Sequence, residues 1–270
     1  MNKELTLKEI QTETLNLMKK VHKICVEQNL RYILAYGTLL GAIRHNGFIP
    51  WDDDFDIMMP RSDYEKFARY FFEHRNELLP LRYFSPETVP DYPNYIARIS
   101  DTSFMMKAEN EKDCGMGIFI DIYPIDGMKD GKLTFAYRKA RFFSSLYFMK
   151  TRIHFVCAKG FLKNILKKIC FGFSKIISLG FLKYQLEKIS KKHNFETSGK
   201  VGCVVWGGLE SCRPIRKASF ENVILHNFED AKFYIPKNYE EILKQEYGDF
   251  MKLPPESERI GHHFYKIFRK

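Results

Sequence analysis

The sequence predicts a mixed fold of the α/β or α+β class, in which helices pack against a sheet and a basic helical insertion interrupts the body. The opening stretch has helical periodicity, short β-rich runs follow it, and a second β group appears after a long lysine-rich stretch. With 270 residues, of which 45% are hydrophobic and 15% aromatic, the chain has enough apolar material for a substantial core. Disorder is therefore not expected.

The first element is predicted to be an amphipathic helix. Thr6 and Glu9 have the spacing of a capping box, in which each side chain accepts a hydrogen bond from the other residue's backbone N–H. Positions that suit one buried face then recur every three or four residues, at Leu7, Ile10, Thr14, Leu17, Val21 and Ile24. One face of this helix should pack on the body.

Short β-rich runs, separated by turn residues or helix signals, predict the strands of the sheet. The runs are Tyr32–Tyr36, Phe55–Met58, Tyr95–Ile99 and Ile118–Ile122, and later Val201–Trp206 and Glu221–Phe228. Ser62 and Glu65 again have capping-box spacing, so a helix is expected to begin at Ser62. Another helix is expected near Tyr239–Tyr247.

The distribution of charge divides the chain into three parts. The net charge is +10, but residues 132–192 hold 15 Lys and Arg against one acid, Glu187, a local balance of +14 that leaves −4 elsewhere. We interpret residues 1–131 and 193–270 as two parts of one domain, and residues 132–192 as a basic, amphipathic helical insertion. Because the basicity belongs to one segment, nucleic-acid binding is not favoured.

The cysteines argue against a structural zinc site. They are scattered, without a C-x-x-C pair or a nearby His at finger spacing, at Cys25, Cys114, Cys157, Cys170, Cys203 and Cys212. The amino terminus lacks the charged and then apolar pattern of a secretory signal. We therefore expect a cytoplasmic protein with reduced thiols.

An acidic stretch at residues 52–56 is unusual for a strand, because Asp is a poor strand former and neighbouring carboxylates repel one another. Side chains alternate along a strand, so Asp52, Asp54 and Asp56 should share one face. Carboxylates that converge in this way make an oxygen site suited to Mg²⁺ or Mn²⁺ bridging substrate phosphates. The alternative interpretation is an exposed acidic turn after Pro50.

A glycine-containing stretch before the acidic residues predicts an anion site. Gly37 and Gly41 would let backbone N–H groups, together with Thr38, approach a phosphate. Arg44 lies one turn past Gly41 and could reach a phosphate oxygen. Two glycines alone usually mark an ordinary turn, but a glycine loop followed closely by an Asp-x-Asp strand is a stronger signal.

Together these motifs resemble the LicD family. The run from Gly37 to Arg44, followed by GFIPWDDDFDIMMPRSDY, looks like the signature of that family, and Tyr247–His263 resembles its ending. The family is related to the fukutin-type proteins and is assigned to the nucleotidyltransferase superfamily. The resemblance covers residues 1 to about 130 and 200 to 270. It implies a nucleotidyltransferase-type mixed sheet flanked by helices, with the catalytic core in those two parts.

The resemblance also implies a phosphoryl-transfer site that uses Mg²⁺ or Mn²⁺. Asp54 and Asp56 would hold the metal, with Asp52 as a further ligand and Asp121 as a third acid from a later strand. A buried carboxylate needs a partner, and a metal would supply one for Asp121. Asp121 could also accept the proton of the attacking hydroxyl. The alternative is a structural acid that caps the turn after Pro124.

Other residues are candidates for binding the donor. Those assigned to its phosphates or nucleotide are Gly37, Thr38, Gly41, Arg44, Arg98, Arg259, His262 and His263. Arg98 could equally form an ordinary ion pair. If the transferred head group is choline, its quaternary ammonium requires aromatic faces, for which Tyr36, Trp51 and Trp206 are available, although aromatic side chains more often belong to a core.

The resemblance implies transfer of a phospho-alcohol from a CDP-activated donor to a sugar hydroxyl. Phosphocholine from CDP-choline is the preferred group, and the acceptor would be a lipid-linked precursor of a cell-surface glycan or teichoic acid. Alternatives are a ribitol- or glycerol-phosphate transferase, or a nucleotidyltransferase that makes an activated alcohol or sugar. A basic membrane- or nucleic-acid-binding module without enzymatic activity is a further alternative, but it leaves the acidic stretch unexplained.

Residues 161–181 are predicted to form one cationic amphipathic helix. Large apolar residues fall along one face, and the opposite face carries Lys163, Lys167, Lys168 and Lys175. The lysines interrupt every window long enough to span a bilayer, so the helix would either lie on an anionic membrane surface, at the inner face of the cell membrane, or pack on the body. The sequence leaves both alternatives open.

Overall fold

A computed structural model of the chain describes residues 3–90, 92–129, 135–206, 213–261 and 265–270. These residues form seven α-helices around one mixed sheet and two separate pairs of antiparallel strands. The mixed α/β class expected from the sequence is confirmed.

The helices and strands follow one another from the amino terminus. The helices are α1 (Leu7–Glu27), α2 (Tyr36–His45), α3 (Arg61–Glu73), α4 (Phe135–Thr151), α5 (Phe161–Ile176), α6 (Leu179–Ser190) and α7 (Tyr239–Tyr247). The strands are β1 (Ile33–Leu34), β2 (Asp56–Pro60), β3 (Leu81–Phe84), β4 (Ala97–Asp101), β5 (Phe104–Ala108), β6 (Ile118–Met128), β7 (Lys200–Gly202), β8 (Ile215–Arg216), β9 (Val223–Phe228), β10 (Ala231–Pro236) and β11 (Tyr265–Arg269).

Strand β6 is the centre of the main sheet. The strand order is β1-β2-β6-β4-β3, and the end of β6 also pairs with β7, which pairs with β8. β2 runs parallel to β6, whereas β4 runs antiparallel to it. All eleven residues of β6 are buried, which explains why its sequence is a nearly continuous apolar run. The other strands pair as β9 with β10 and β5 with β11.

Helix α1 begins and packs as its sequence predicts. The side chain of Thr6 accepts from the backbone N–H of Glu9, and the carboxylate of Glu9 accepts from the backbone N–H of Thr6. The predicted buried face includes Leu17, Val21 and Ile24. The capping box therefore fixes both the start of the helix and the face that it turns toward the core.

The starts of the next two helices differ from the predictions. The stretch interpreted as a glycine loop, Gly37 to Arg44, is helical and lies within α2, which begins at Tyr36 after an extended Ala35. Helix α3 begins at Arg61 after Pro60, and its first residues have no side-chain cap, so the capping box predicted at Ser62 is wrong. Pro60 ends β2 and cannot donate a backbone hydrogen bond, which makes the strand pass directly into the helix.

The basic segment forms three helices rather than one long amphipathic helix over residues 161–181. α5 ends at Ile176, and Ser178 begins α6 by accepting from the backbone N–H of Phe181 at 3.1 Å. Helix α4 packs against both α5 and α6. Among the residues that the structure describes, no helix is both long enough and apolar enough to cross a membrane.

A buried ion pair joins α3 to the centre of the sheet. The guanidinium of Arg61 donates to both carboxylate oxygens of Asp126, with N–O distances of 2.8 and 2.6 Å. Asp126 is only 1% exposed. The turn expected after Pro124 is wrong, because β6 continues through Pro124 to Met128. The carboxylate of Asp126 is a structural partner of Arg61, and its charge is neutralised without a metal.

We predict that Asp126→Asn lowers the free energy of unfolding by about 3–5 kcal/mol, because it leaves the Arg61 charge buried without its counter-ion. Urea unfolding of the two proteins measures the difference. The matched control is Asp230→Asn, which breaks the exposed Lys19–Asp230 pair and should change little, since water already solvates both groups. Equal effects of the two substitutions would contradict the structural role of Asp126.

Candidate active site

A cleft of about 900 Å³ lies between α2, the acidic segment and the carboxy-terminal region. Six residues singled out from the sequence line it: Gly37, Arg44, Trp51, Asp52, Asp54 and Asp56. The opposite wall comes from residues 247–260. The glycine stretch and the acidic stretch therefore face one space, as a substrate-binding role requires.

The acidic residues reach this cleft from a segment that is only partly a strand. Asp56 is the first residue of β2, whereas Asp52 and Asp54 lie before the strand begins. Alternation along a strand therefore does not explain their common orientation. Gln11 on α1 contributes to it, because its side-chain amide donates to the backbone carbonyl of Asp52 at 2.8 Å.

The backbone of Asp56 is bound on both sides by the start of α2. Its N–H donates to the hydroxyl of Thr38 at 2.8 Å, and its carbonyl accepts from the N–H of Ala35 at 3.0 Å. Asp121 N–H donates to the carbonyl of Phe55 at 3.0 Å. Thr38 is buried, so its hydroxyl positions the acidic strand, and it does not line the cleft.

The two glycines of α2 have different roles. A Cβ atom on Gly37 would stand 3.0 Å from Oδ2 of Asp52, so a larger residue would displace that carboxylate. A Cβ atom on Gly41 would stand 2.5 Å from the carbonyl oxygen of Gly47, so this glycine allows the helix to pack on the following loop. Tyr36, which precedes Gly37, has a φ of 45°, a strained conformation for a non-glycine residue.

Asp121 lies between Asp56 and Arg98 in a row across three strands. The register pairs Asp121 with Asp56 of β2 on one side and with Arg98 of β4 on the other. Arg98 Nε lies 2.6 Å from Oδ1 of Asp121, and its guanidinium also stacks 3.9 Å from the ring centroid of Phe119. The counter-charge that Asp121 needs therefore comes from Arg98, and the ion-pair alternative describes Arg98 in this structure.

The row of carboxylates makes this part of the site electronegative. Burial, together with the charges of Asp56 and Asp121, raises the pKa of Tyr123 well above its ordinary value. Burial likewise raises the pKa of Tyr247 on the cleft wall, with further contributions from Glu246, Asp56 and Asp52. A cation or a cationic group would be attracted to this end of the cleft.

The cleft lining also includes cationic side chains. Arg44 and Lys252 both line the cleft. Arg44 also donates to the backbone carbonyl of Phe250 at 3.3 Å, which ties α2 to the carboxy-terminal wall. Burial lowers the pKa of Arg44, and nearby Arg259 lowers it further. Two guanidinium groups held close together favour an anion between or beside them.

The three aromatic residues proposed to hold a head group lie in two places. Tyr36 contacts Tyr123, with ring centroids 4.9 Å apart, and Tyr123 contacts Trp206 at 5.8 Å. Trp51 lines the cleft, where the Arg259 guanidinium lies 5.8 Å from its ring centroid. The structure thus links Tyr36 to Trp206 through Tyr123, whereas Trp51 lies in the cleft beside Arg259.

Several residues of the carboxy-terminal region were not singled out from the sequence. Tyr247, Asp249, Lys252 and Glu258 line the cleft; the only sequence signal for them was the resemblance of this region to a family ending. His262 and His263, proposed to contact the donor, lie outside the described residues. Within the parts of the chain that the structure describes, no three His, Cys, Asp or Glu side chains form a ready-made cation site.

Comparison with known proteins decides the family. A family model described as "LicD/FKTN/FKRP, nucleotidyltransferase domain" matches residues 29–159. The lipopolysaccharide cholinephosphotransferase LicD of Haemophilus influenzae is 33% identical over 276 residues, which cover 98% of this chain and 99% of that protein. The chain belongs to the LicD family.

More distant matches are local. Uncharacterized proteins of Rickettsia prowazekii and Rickettsia typhi are each 49% identical over 47 residues, or 17% of this chain. They cover 18% and 15% of those proteins, respectively.

Membership of the LicD family makes the chain a phosphotransferase. The family match contains α2, the acidic segment and the β4–β6 pair, whereas the carboxy-terminal wall lies beyond residue 159. The full-length match to the Haemophilus protein includes that wall and the basic segment, so the similarity extends through the part where the sequence resemblance had seemed least distinct.

Proposed function

We propose that this chain transfers phosphocholine from CDP-choline to a sugar hydroxyl of a cell-surface glycan, with Mg²⁺ as cofactor. The observation that carries the proposal is the cleft itself, which is lined by Asp52, Asp54 and Asp56 together with Arg44 and Lys252. A lipopolysaccharide cholinephosphotransferase similar over 98% of the chain supports the choice of choline and of a glycan acceptor.

The cationic residues of the cleft would bind the donor diphosphate. Arg44 presents a planar group able to make two hydrogen bonds to one phosphate, and Lys252 adds a second positive charge across the cleft. The first turn of α2 would add a favourable helix dipole close to Gly37. These groups hold the donor in place and stabilise the negative charge of the leaving CMP.

The carboxylates fit a hard divalent cation. Mg²⁺ is usually held by one or two carboxylates together with substrate phosphates and water, so it does not require three protein ligands already in contact. Asp54 and Asp56 would be those ligands, with Asp52 beside them. When bound, the ion would neutralise the donor phosphates and make the transferred phosphorus a better electrophile.

Asp121 would complete the acidic row from β6. Its carboxylate is buried beside Asp56 and is oriented by Arg98. In this position it could act as a third acid toward the cation or accept the proton of the acceptor hydroxyl. In either role the carboxylate of Asp121 would keep its ion pair with Arg98 while it contacts the cation or the hydroxyl. Arg98 would therefore position Asp121 and would not bind phosphate itself.

The head group would be recognised by charge as well as by aromatic faces. Choline carries a permanent positive charge, which suits a cleft whose lining includes Asp52, Asp54, Asp56, Asp249 and Glu258, together with the ring of Trp51. Ribitol and glycerol phosphates lack that charge. The acidic lining of the cleft therefore favours choline over the neutral alcohols.

The proposal predicts that the protein with Mg²⁺, CDP-choline and a lipid-linked saccharide releases CMP and adds one phosphocholine to the saccharide. Mass spectrometry of the saccharide and chromatography of the nucleotide measure both products. CDP-ribitol and CDP-glycerol, offered separately, should react more slowly or not at all. Consumption of CTP with release of pyrophosphate would instead identify a nucleotidyltransferase, and no product from any donor would contradict transfer.

We predict that Asp54→Asn and Asp56→Asn each abolish nearly all transfer, because each removes a charge proposed to bind the cation. Both variants should also bind Mg²⁺ more weakly, as measured by calorimetry. Their unfolding midpoints should stay close to that of the wild type. Asp53→Asn is the matched control, since Asp53 is the neighbouring carboxylate outside the cleft lining. Normal turnover by both cleft variants would refute the metal assignment.

We predict that Arg44→Ala weakens binding of CDP-choline by about tenfold to a hundredfold, the equivalent of one charge-assisted hydrogen bond of roughly 1.5–3 kcal/mol. Isothermal calorimetry with Mg²⁺ present measures the dissociation constant. Arg216→Ala, which removes an exposed guanidinium paired with Glu241, should leave it unchanged. A wild-type dissociation constant for Arg44→Ala would exclude Arg44 from the donor site.

A further inference from the structure

Helix α5 turns its apolar face away from the protein. The large side chains on this face are exposed, with Phe161 at 80% and Ile176 at 84%. The complete set is Phe161, Leu162, Ile165, Leu166, Ile169, Phe173 and Ile176. At about 100° per residue these seven positions fall within an arc of about 140°. A helix that packed on the body through its apolar face would bury this arc.

The opposite face of α5 holds the helix on the protein through polar and aromatic contacts. Ser174 is buried, and the Phe171 ring lies 5.5 Å from that of Phe155. Lys175 donates to the backbone carbonyls of Lys150 and Arg152 at 2.9 and 2.6 Å. The orientation of the helix is therefore fixed by specific contacts, and the exposed apolar face is the outward side of an ordered element.

Cationic residues border the apolar face. Lys163 lies past one edge of the arc and Lys168 past the other, and both are exposed. Lys167 and Lys175, by contrast, face protein partners: Lys167 lies 5.9 Å from the Phe155 ring centroid, and Lys175 binds the carbonyls described above. Lysines at the borders of an apolar face can extend to phosphate groups while their stems remain in an apolar layer.

We propose that α5 docks on an anionic lipid surface, with its seven apolar side chains in the boundary between head groups and acyl chains. A contiguous apolar surface of this kind is rare on a protein that remains in water. The surrounding segment, residues 132–192, holds 15 Lys and Arg against a single acid, Glu187, a net charge of +14. Two copies of this chain facing each other across α5 would bring those like charges together, whereas anionic lipid complements them.

A chain of contacts links the docking helix to strand β6. Phe148 of α4 lines a small cavity together with Lys167 and Phe171 of α5. The Phe148 ring also contacts Trp206 at 5.2 Å, and Trp206 contacts Tyr123 of β6 at 5.8 Å. The docking itself is independent of the proposed transfer reaction and can be tested without a substrate.

The test is flotation of the full chain with vesicles of phosphatidylethanolamine and phosphatidylglycerol, with phosphatidylethanolamine and phosphatidylcholine as the neutral control. We expect wild type to bind the anionic vesicles more tightly and to lose affinity as salt rises. Lys163→Gln with Lys168→Gln should weaken binding by about twentyfold to thirtyfold. Leu162→Gln, Leu166→Gln and Ile169→Gln together should weaken it on the order of a hundredfold.

A triple variant that changes exposed apolar residues elsewhere is the matched control: Val26→Gln, Phe72→Gln and Leu225→Gln come from three other elements. It should bind vesicles as the wild type does. Hydrogen exchange of wild type provides a test without substitutions, since residues 161–176 should gain protection on anionic vesicles. No binding, equal binding to both vesicles, or a control variant as weak as the α5 variant would overturn the proposal. Light scattering supplies one more outcome that would overturn the proposal. If wild type forms a dimer, the triple α5 variant does not, and wild type fails to bind vesicles, then α5 is an interface between two copies of the chain.

Discussion

The backbone of Asp56 is the point at which α2, the acidic segment and the central sheet are fixed to one another. Its N–H and its carbonyl are both bound by the turn that begins α2, through Thr38 and Ala35. Its strand then pairs in parallel with β6, which sets Asp121 beside it. A shift of one residue at Asp56 would turn its carboxylate to the other face of the sheet and separate it from Asp121. The geometry of the whole site therefore depends on two hydrogen bonds to one residue.

The same arrangement explains how several carboxylates can be held together. Asp56 and Asp121 lie on adjacent strands in register and repel one another. Arg98 offsets part of this repulsion from the next strand, and its own charge is supported by the ring of Phe119. Arg44 and Arg259 also repel each other, and this repulsion lowers the pKa of Arg44. A cleft lined by both carboxylates and cationic side chains is complementary to a molecule that carries a cation and a diphosphate.

Local patterns predicted the elements that bear the site, because those elements are specified locally. The capping box at Thr6 depends on neighbours in sequence and was predicted correctly. The strand predicted at Ile118–Ile122 is the first part of β6, which continues to Met128. The partner of Asp121 was predicted less well: Arg98 lies 23 positions away, and only strand pairing brings the two together. The same holds for Gln11, which reaches the carbonyl of Asp52 across 41 positions. A polar side chain on the buried face of a helix was the one available signal for it.

The basic segment shows why periodicity alone could not choose between packing and exposure. An amphipathic helix has the same pattern whether its apolar face contacts protein or lipid, because both environments exclude water. The distinction lies in what the opposite face does. In α5 that face is occupied by a buried serine, an aromatic contact and a lysine that binds main-chain carbonyls. These contacts leave the apolar side of α5 available to bind another surface. Because lysines border that apolar side, an anionic surface would complement it.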